Sequence, residues 1–274
     1  MSTRALLASP LGFLIGVSLG TLGGGGSILA VPVLVFVAGQ DPSAATTTSL
    51  VVVGVASLIG AYGHWRAGRV RVAQALVFGL VGIGGSLAGS ALNRRLDGDI
   101  LLLAFAGLIL VAAWRIVAGC PSCTRSGEVN AIQDSPAGDG TVQTRPRTIT
   151  ADRLVKIVAA GTVVGFLTGL FGVGGGFVIV PALALVLGFP MAVAVGSSLL
   201  VIAVNTAVAL AVRAGAGTIE WGTTLVFTVA AIAGVATGER VADRLKPESM
   251  QRAFAVLLVA VALYTGTRAT FAII

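Results

Sequence analysis

Charged side chains are scarce in this sequence. Asp, Glu, Lys and Arg make up 11% of its 274 residues, and 56% of the residues are hydrophobic. Soluble domains carry roughly 25% charged residues. So few charges cannot cover the surface of a soluble protein of this size, so most of the apolar surface must face lipid. This composition excludes a soluble enzyme, a nucleic-acid-binding protein and a secreted disulfide scaffold as the main interpretation.

The side chains that most often carry catalysis or bind metals are also few. The sequence has one histidine, His64, and two cysteines, Cys120 and Cys123. Two thiols are half of a zinc site, and no Gly-Lys-Ser/Thr motif follows a glycine cluster. We therefore predict no enzyme, no catalytic residue, no metal, no cofactor and no ATP-driven transport by this chain alone. The cysteine pair is predicted to have no required role, with intermolecular zinc or a redox switch as alternatives.

Acidic residues are missing from the interior of every predicted span. All 11 lie in loops, in a linker or at span ends, and Glu220 and Glu239 come nearest to the membrane. This pattern argues against a buried carboxylate proton relay and suits a carrier of anions. His64 lies at a span end, where an interfacial loop histidine is the simpler interpretation, although an imidazole also suits proton coupling.

Apolar segments of about 20 residues recur along the chain, which is the length that crosses a bilayer as a helix. The net charge of +7 comes from basic residues spread over the short loops between these segments, where they set membrane orientation. The sequence therefore predicts an all-α, multi-pass membrane protein whose partner is the lipid bilayer rather than nucleic acid.

The sequence contains an internal repeat. A shift of 149 residues superimposes Gly16 on Gly165, Pro32 on Pro181 and other glycines on glycines. Matches over about 90 residues at one offset indicate two homologous halves. We predict a first transmembrane repeat at 5–118, a polar linker at 119–153 and a second transmembrane repeat at 154–274.

Each half is predicted to open with an apolar segment that a glycine cluster interrupts, followed by three spans. The broken segments are 10–39, interrupted at 23–26, and 158–188, interrupted at 172–176. The spans are 44–62, 72–92 and 100–118 in the first half, and 191–212, 221–238 and 253–267 in the second. Each arm of a broken segment is about 20 Å long as a helix, too short for the bilayer core.

Two topologies remain open for the broken segments. Each is either one interrupted span, which gives parallel repeats, or a re-entrant hairpin, which gives inverted repeats. The hairpin places 13 of the 18 Lys and Arg on one side, and the interrupted span places 12 there, so the positive-inside rule favours the hairpin slightly. The working hypothesis is an inverted repeat with both termini outside and the linker in the cytoplasm.

The two glycine clusters are the most informative feature. Non-helical backbone at membrane depth persists only inside protein or beside a cavity. A new helix is expected to begin after each cluster, at Ser27 and at Phe177, and its first amides would form a positive, anion-attracting helix end. In an inverted repeat the two ends would meet near the midplane. The alternative is close helix packing through small residues.

The duplicated glycine pattern resembles a known family. Gly161, Gly165, Gly169, Gly172 and Gly174-Gly175 are followed by Pro181, with Gly196-Ser197-Ser198-Leu199 downstream, and the first half carries a similar series. This pattern is similar to that of the sulfite exporter TauE/SafE family, also called the toluene sulfonate uptake permease family. The resemblance implies a bacterial inner-membrane carrier of sulfite or small organosulfonates. The halves differ, since Thr46-Thr47-Thr48-Ser49 replaces Val195-Gly196-Ser197-Ser198 and Ala56 replaces Asn205, so the site would be asymmetric.

The predicted substrate site combines the glycine breaks with small polar side chains in the following spans. Hydroxyls can donate to oxyanion oxygens, although hydrogen bonding to their own helix is their commoner use. An amide inside a span, as at Asn205, is costly unless paired. The predicted substrate-binding residues are Gly23, Gly24, Gly25, Gly26, Ser27, Thr47, Thr48, Ser49, Gly172, Gly174, Gly175, Gly176, Ser197, Ser198 and Asn205.

The resulting functional prediction is a secondary transporter of a small anionic substrate, sulfite or an organosulfonate, that works by alternating access between the two halves. The alternatives are a gated anion channel and a non-transporting membrane subunit that anchors a partner through the linker. The sequence is compatible with a homo-oligomer.

Overall fold

The structure is a computed structural model that describes residues 3–93, 104, 106–114, 151–171, 176–212, 221–242, 244 and 247–273. The described residues are helical, with short turns and no strand, which confirms the predicted all-α membrane fold. The helices are α1 Thr3–Leu22, α2 Gly25–Phe36, α3 Pro42–Arg66, α4 Val72–Asn93, α5 106–114, α6 Ala151–Phe171, α7 Gly176–Pro181, α8 Met191–Val212, α9 Trp221–Ala242 and α10 Pro247–Ile273. A π-helical turn, Ala182–Val186, continues α7.

Four described helices are long and apolar enough to cross a membrane. They contain the stretches Ala44–Arg66, Val72–Leu92, Met191–Ala211 and Trp221–Ala242, which match four of the six predicted spans. The apolar stretch of α10, Arg252–Leu263, is shorter, and the predicted span 100–118 lies partly outside the described residues, as does most of the predicted linker. Helix α6 begins at Ala151, before residue 154 where the second repeat is predicted to start.

Two helix pairs, α1 with α9 and α4 with α6, pack through glycines. A methyl group placed on Gly16 would overlap the backbone of Ala231, and one on Gly165 would overlap the backbone of Gly82. Gly16 and Gly165 are equivalent in the repeat, so both pairs use the same contact. Each pair joins a helix of one half to a helix of the other, and small residues allow this close approach in membranes.

Helices α3 and α8, which are repeat equivalents, pack against each other as an antiparallel pair. A methyl group on Gly54 would lie 2.9 Å from Thr206 Oγ1, one on Gly60 would lie 3.0 Å from Leu199 Cδ1, and one on Gly196 would lie 2.9 Å from His64 Cβ. Later residues of α3 therefore face earlier residues of α8. Two equivalent helices that run in opposite directions are related as inverted repeats require.

The core and the lipid-facing surface follow this arrangement. Helices α4 and α9 bury Phe78 and Phe227 and expose large apolar side chains such as Leu80, Leu87 and Leu225. In a protein with this composition, exposed leucines face the acyl chains rather than water. The residues Gly23–Gly26 and Gly176 are buried inside this bundle.

Candidate functional site

The first glycine break is one left-handed glycine between two helices. α1 ends at Leu22, Gly23 has φ +71°, and α2 begins at Gly25 with Gly24 as a helix cap that makes no side-chain hydrogen bond. The expectation that the helix begins at Ser27 is therefore corrected, because Gly25 and Gly26 adopt helical backbone. In the second half Gly176 is already helical, so the expectation that this helix starts at Phe177 is corrected as well.

At this break the chain turns back on α1. A methyl group on Gly26 would lie 2.8 Å from Leu19 Cγ and 2.5 Å from the carbonyl oxygen of Ile15. A straight helix from Ile15 to Gly26 would separate these residues by about 16 Å. α2 therefore packs beside α1, as a hairpin would require.

The two glycine breaks meet. A methyl group on Gly24 would overlap the carbonyl group of Gly176, and one on Gly176 would lie 2.6 Å from Ser27 Oγ and 3.0 Å from Ile202 Cδ1. The backbones of the two broken segments therefore touch at this point, which we call the break crossing. Gly172, Gly174 and Gly175 lie outside the described residues.

The described part of the break crossing is closely packed through its glycines. A methyl group on Gly23 would lie 2.6 Å from Ser198 Oγ and 3.0 Å from Val180 Cγ2. Among the first amides of α2, that of Ser27 donates to the carbonyl oxygen of Gly24 at 3.3 Å, and the cap residue contributes no side-chain bond. The crossing thus combines tight backbone contact with a helix N-terminus that attracts negative charge.

The hydroxyl groups around the crossing donate to their own helices. Ser27 Oγ donates to the carbonyl oxygen of Gly24 at 2.7 Å, and Ser198 Oγ donates to that of Val195 at 2.8 Å. Ser197 Oγ accepts a hydrogen bond from the backbone N–H of Arg71 at 3.1 Å. Binding of an oxyanion by the Ser27 or Ser198 hydroxyl thus requires rotation about χ1, which exchanges one hydrogen bond for another.

The predicted hydroxyl residues do not form one cluster. Ser197 and Ser198 lie near the crossing, but Thr48 accepts from Thr224 at 3.4 Å at the opposite end of α3, and Ser49 donates to the carbonyl of Thr46 at 2.8 Å. Thr48 and Gly60, which faces Leu199, are about 18 Å apart along α3. Thr47 is buried on the same first turns of α3. These three residues therefore lie at the other end of the α3–α8 pair from Ser198.

Comparison with known proteins identifies the family. The family model "Sulfite exporter TauE/SafE" matches residues 8–265. The chain belongs to the sulfite exporter TauE/SafE family. It is 32% identical over 256 residues to a "Probable membrane transporter protein" of Xylella fastidiosa (strain Temecula1), which covers 92% of this chain and 91% of that protein. It is 28% identical over 270 residues to the "Probable membrane transporter protein YunE" of Bacillus subtilis, covering 93% and 92%. No solved structure gives a significant match.

This TauE/SafE member is thus a multi-pass protein of a membrane transporter family. Among the described residues, no three His, Cys, Asp or Glu side chains come together as a metal site would require. Cys120 and Cys123 lie outside the described residues.

Asn205 remains the strongest single polar candidate. It lies near the middle of α8, and its Oδ1 atom is buried without a hydrogen-bond partner. A methyl group on Gly79 of α4 would lie 3.8 Å from that oxygen. A buried amide oxygen without a partner costs about 1–3 kcal/mol. This oxygen can only accept a hydrogen bond, so an oxyanion would have to bind the NH2 group of the same side chain.

The sequence interpretation missed Ser57. Ser57 is fully buried on α3 and its Oγ has no hydrogen-bond partner. The repeat could have pointed to it, because a shift of 149 residues superimposes Ser57 on Thr206, next to Asn205. Thr206 instead donates to the carbonyl of Ile202 at 2.8 Å.

His64 is not an interfacial loop residue, so the simpler interpretation of this histidine is wrong. It lies in the last turn of α3, its side chain is 3% exposed, and its Nε2 is 3.4 Å from the carbonyl oxygen of Gly20. The side chain is buried because Gly196 of α8 leaves room for it, with its ring reaching towards Gly20 of α1.

Proposed function

We propose that this TauE/SafE protein is a secondary carrier of small oxyanions, sulfite or organosulfonates, in the bacterial inner membrane. The observation that carries the proposal is the meeting of the two broken segments at Gly24 and Gly176. Transporters place substrate near the midplane, where interrupted helices of two repeats approach each other.

The chemistry at this position suits an anion. The N-terminal amides of α2 supply partial positive charge, and Ser198 supplies a hydroxyl that can rotate towards a guest beside Gly23. No acidic residue occurs in α2 or α8, so the helices nearest the crossing carry no charge that would repel an oxyanion.

Alternating access follows from the same contact. The crossing is closed, so substrate can enter only when the two broken segments separate. The antiparallel pairing of α3 with α8 supports an inverted repeat, in which opening on one side of the membrane has an equivalent on the other. We propose this topology together with a cytoplasmic linker and a small anion as the partner.

Flux through liposomes tests the proposal. The purified protein is expected to move labelled sulfite or a labelled organosulfonate with saturation, and Gly24→Val is expected to abolish flux because the valine would keep the backbone of Gly176 away. The matched control is Gly84→Val, since a methyl group on Gly84 meets nothing within 4 Å.

Two outcomes would contradict the carrier. Unchanged flux in a correctly folded Gly24→Val protein would exclude the crossing as the site. Single-channel currents, or flux without saturation, would favour the gated channel instead. If Gly24→Val does not yield a monodisperse protein, the subtler Ser198→Ala, which removes only a hydroxyl, is expected to weaken sulfite binding.

A further inference from the structure

We propose that His64 and Glu239 form a proton-binding site beside the break crossing, through which a pH gradient drives transport. This inference rests on the proposed function, because a coupling ion matters only in a carrier. The ligand of the site is H⁺, and its two groups are an imidazole and a carboxylate.

His64 and Glu239 both lie beside Gly20 of α1. His64 Nε2 is 3.4 Å from the carbonyl oxygen of Gly20, and a methyl group on Gly20 would lie 3.1 Å from the backbone nitrogen of Glu239. The Glu239 carboxylate packs on the residue before His64, since a methyl group on Gly63 would lie 2.6 Å from its Oε1. The glycine at 63 thus leaves the space that the Glu239 carboxylate occupies, and Gly196 leaves space for the His64 side chain.

This site is close to the break. Gly20 is one helical turn before Gly23, the left-handed residue beside Ser198, and a turn rises about 5.4 Å. On the other side, His64 packs against Gly196, which lies just before Ser197 and Ser198 in α8. A charge that appears on the pair therefore acts directly on an anion at the crossing.

The opposite end of the protein shows that the packing does not require the Glu239 carboxylate. A shift of 149 residues superimposes Ser90 on Glu239, Gly169 on Gly20, and His64 on Arg213, which lies outside the described residues. At that end the Ser90 hydroxyl donates to the carbonyl oxygen of Gly169 at 3.4 Å. A serine thus fits beside the equivalent glycine, and a carboxylate at this position is present at one end of the protein only.

The charges around the pair come from a few elements. α1 has no ionisable residue after Arg4, and α2 and α8 have none. The backbone N–H of Arg69 donates to the carbonyl oxygen of His64 at 2.9 Å, and Arg240 Nη1 donates to that of Ala236 at 3.0 Å. The other described ionisable residues on the last turns of α3, in the loop after it, on α9 and from there to the start of α10 are Tyr62, Arg66, Arg69, Arg71, Arg240, Arg244, Glu248 and Arg252.

Proton binding would couple to anion binding through charge. A proton taken up by the pair raises its charge by one unit, which strengthens the attraction for an anion at the crossing. By linkage, the anion strengthens proton binding by the same factor. Substrate and proton would then bind together, and the proton would leave when the crossing opens to the side of higher pH.

Histidine NMR tests the pair without transport. Because His64 is the one histidine of the chain, protein labelled at histidine, with its purification tag removed, gives one imidazole signal. Its titration midpoint is expected to move by about 1 pH unit in Glu239→Gln and to stay in place in Glu248→Gln, the same change of charge at an exposed position. A midpoint that Glu239→Gln leaves in place would overturn the pair.

Liposome flux tests the coupling. A pH gradient is expected to drive labelled sulfite uptake by the unmodified protein, and the ratio of gradient-driven uptake to sulfite exchange is expected to fall at least about tenfold in His64→Gln and Glu239→Gln. The ionisation of sulfite is the same for every variant, so differences between variants report on the protein.

The two proposals fail in different ways. Sulfite exchange by the unmodified protein with no response to the gradient would overturn the proton site and leave the carrier standing. Absence of any flux would overturn the carrier and, with it, the coupling role, while the NMR titration would still decide whether the two groups form a pair.

Discussion

The two ends of this protein that are equivalent in the repeat share their packing but not their chemistry. At one end, Gly20 of α1 packs against α9 and is flanked by His64 and Glu239. At the other, Gly169 of α6 packs against α4 and accepts a hydrogen bond from Ser90. The comparison separates what the packing needs, which is a glycine at the contact, from what one end carries in addition, which is the Glu239 carboxylate near the imidazole of His64.

The largest expected effect is a difference in chemical labelling between these two ends, because an inverted repeat places them on opposite sides of the membrane. Ala91 and Arg240 are repeat equivalents and both are exposed, next to Ser90 and Glu239. In an inverted repeat, Ala91→Cys and Arg240→Cys are expected to react with a membrane-impermeant thiol reagent from opposite sides of the membrane. Each cysteine should be labelled fully from one side and not at all from the other. The measurement uses a background in which serine replaces Cys120 and Cys123, and labelling of both from one side would contradict inversion.

The next largest effect tests the shared packing. Gly16→Leu and Gly165→Leu place a side chain where each helix touches the backbone of its partner. Overpacking costs about 1–3 kcal/mol or more, so both variants are expected to lower the thermal unfolding midpoint strongly and to similar extents. Gly107→Leu is the control, because a methyl group there meets nothing within 4 Å. An effect in only one pair would show that the two contacts are not equivalent.

At Asn205 the repeat-equivalent helices α3 and α8 can be compared at a single position. Its repeat equivalent is Ala56, which is fully buried. Asn205→Ala is expected to lower labelled sulfite flux about tenfold, since one lost hydrogen bond to an anion is worth about 1.5–3 kcal/mol. Thr162→Ala is the control, because that exposed hydroxyl bonds only its own helix. Equal flux in both variants would remove Asn205 from the site.

The smallest expected effect is on stability at the ionisable end. Glu239→Ser copies the residue that the other half has at this position, so the unfolding midpoint is expected to change little, by less than about 1 kcal/mol in free energy of unfolding. A large loss of stability would mean that Glu239 is a structural residue, against its assignment to proton binding.

Much of the fold could be predicted from the sequence because lipid imposes simple rules on composition and length. The apolar segments predicted four of the spanning helices, and the repeat predicted which glycines share a role, as at Gly16 and Gly165. The helix starts at Gly25 and Gly176 could not be predicted, since glycine is equally compatible with a helix and with its interruption. Chain patterns alone do not show which glycine has a positive φ.

The site was harder to predict than the fold. Ser and Thr residues in the sequence do not reveal whether they lie at one end of a helix pair or at the other, and only the antiparallel register of α3 and α8 separates Ser198 from Thr48. His64 and Glu239 are each close to the end of a span in sequence, where exposure is the usual expectation. His64 is buried and Glu239 half-buried because glycines distant in sequence, Gly196 and Gly63, leave room for them, which no local pattern of hydrophobicity reports.

The glycine contacts between α1 and α9, and between α4 and α6, also determine what can move. Backbones in direct contact over several turns cannot slide past each other without losing that fit, so each pair is a natural rigid body. Each of these bodies draws one helix from either half of the gene. The mechanical units of the protein are therefore assembled across the duplication, and its hinges are to be sought where the glycine contacts end, at Gly23 and in the turn after α3.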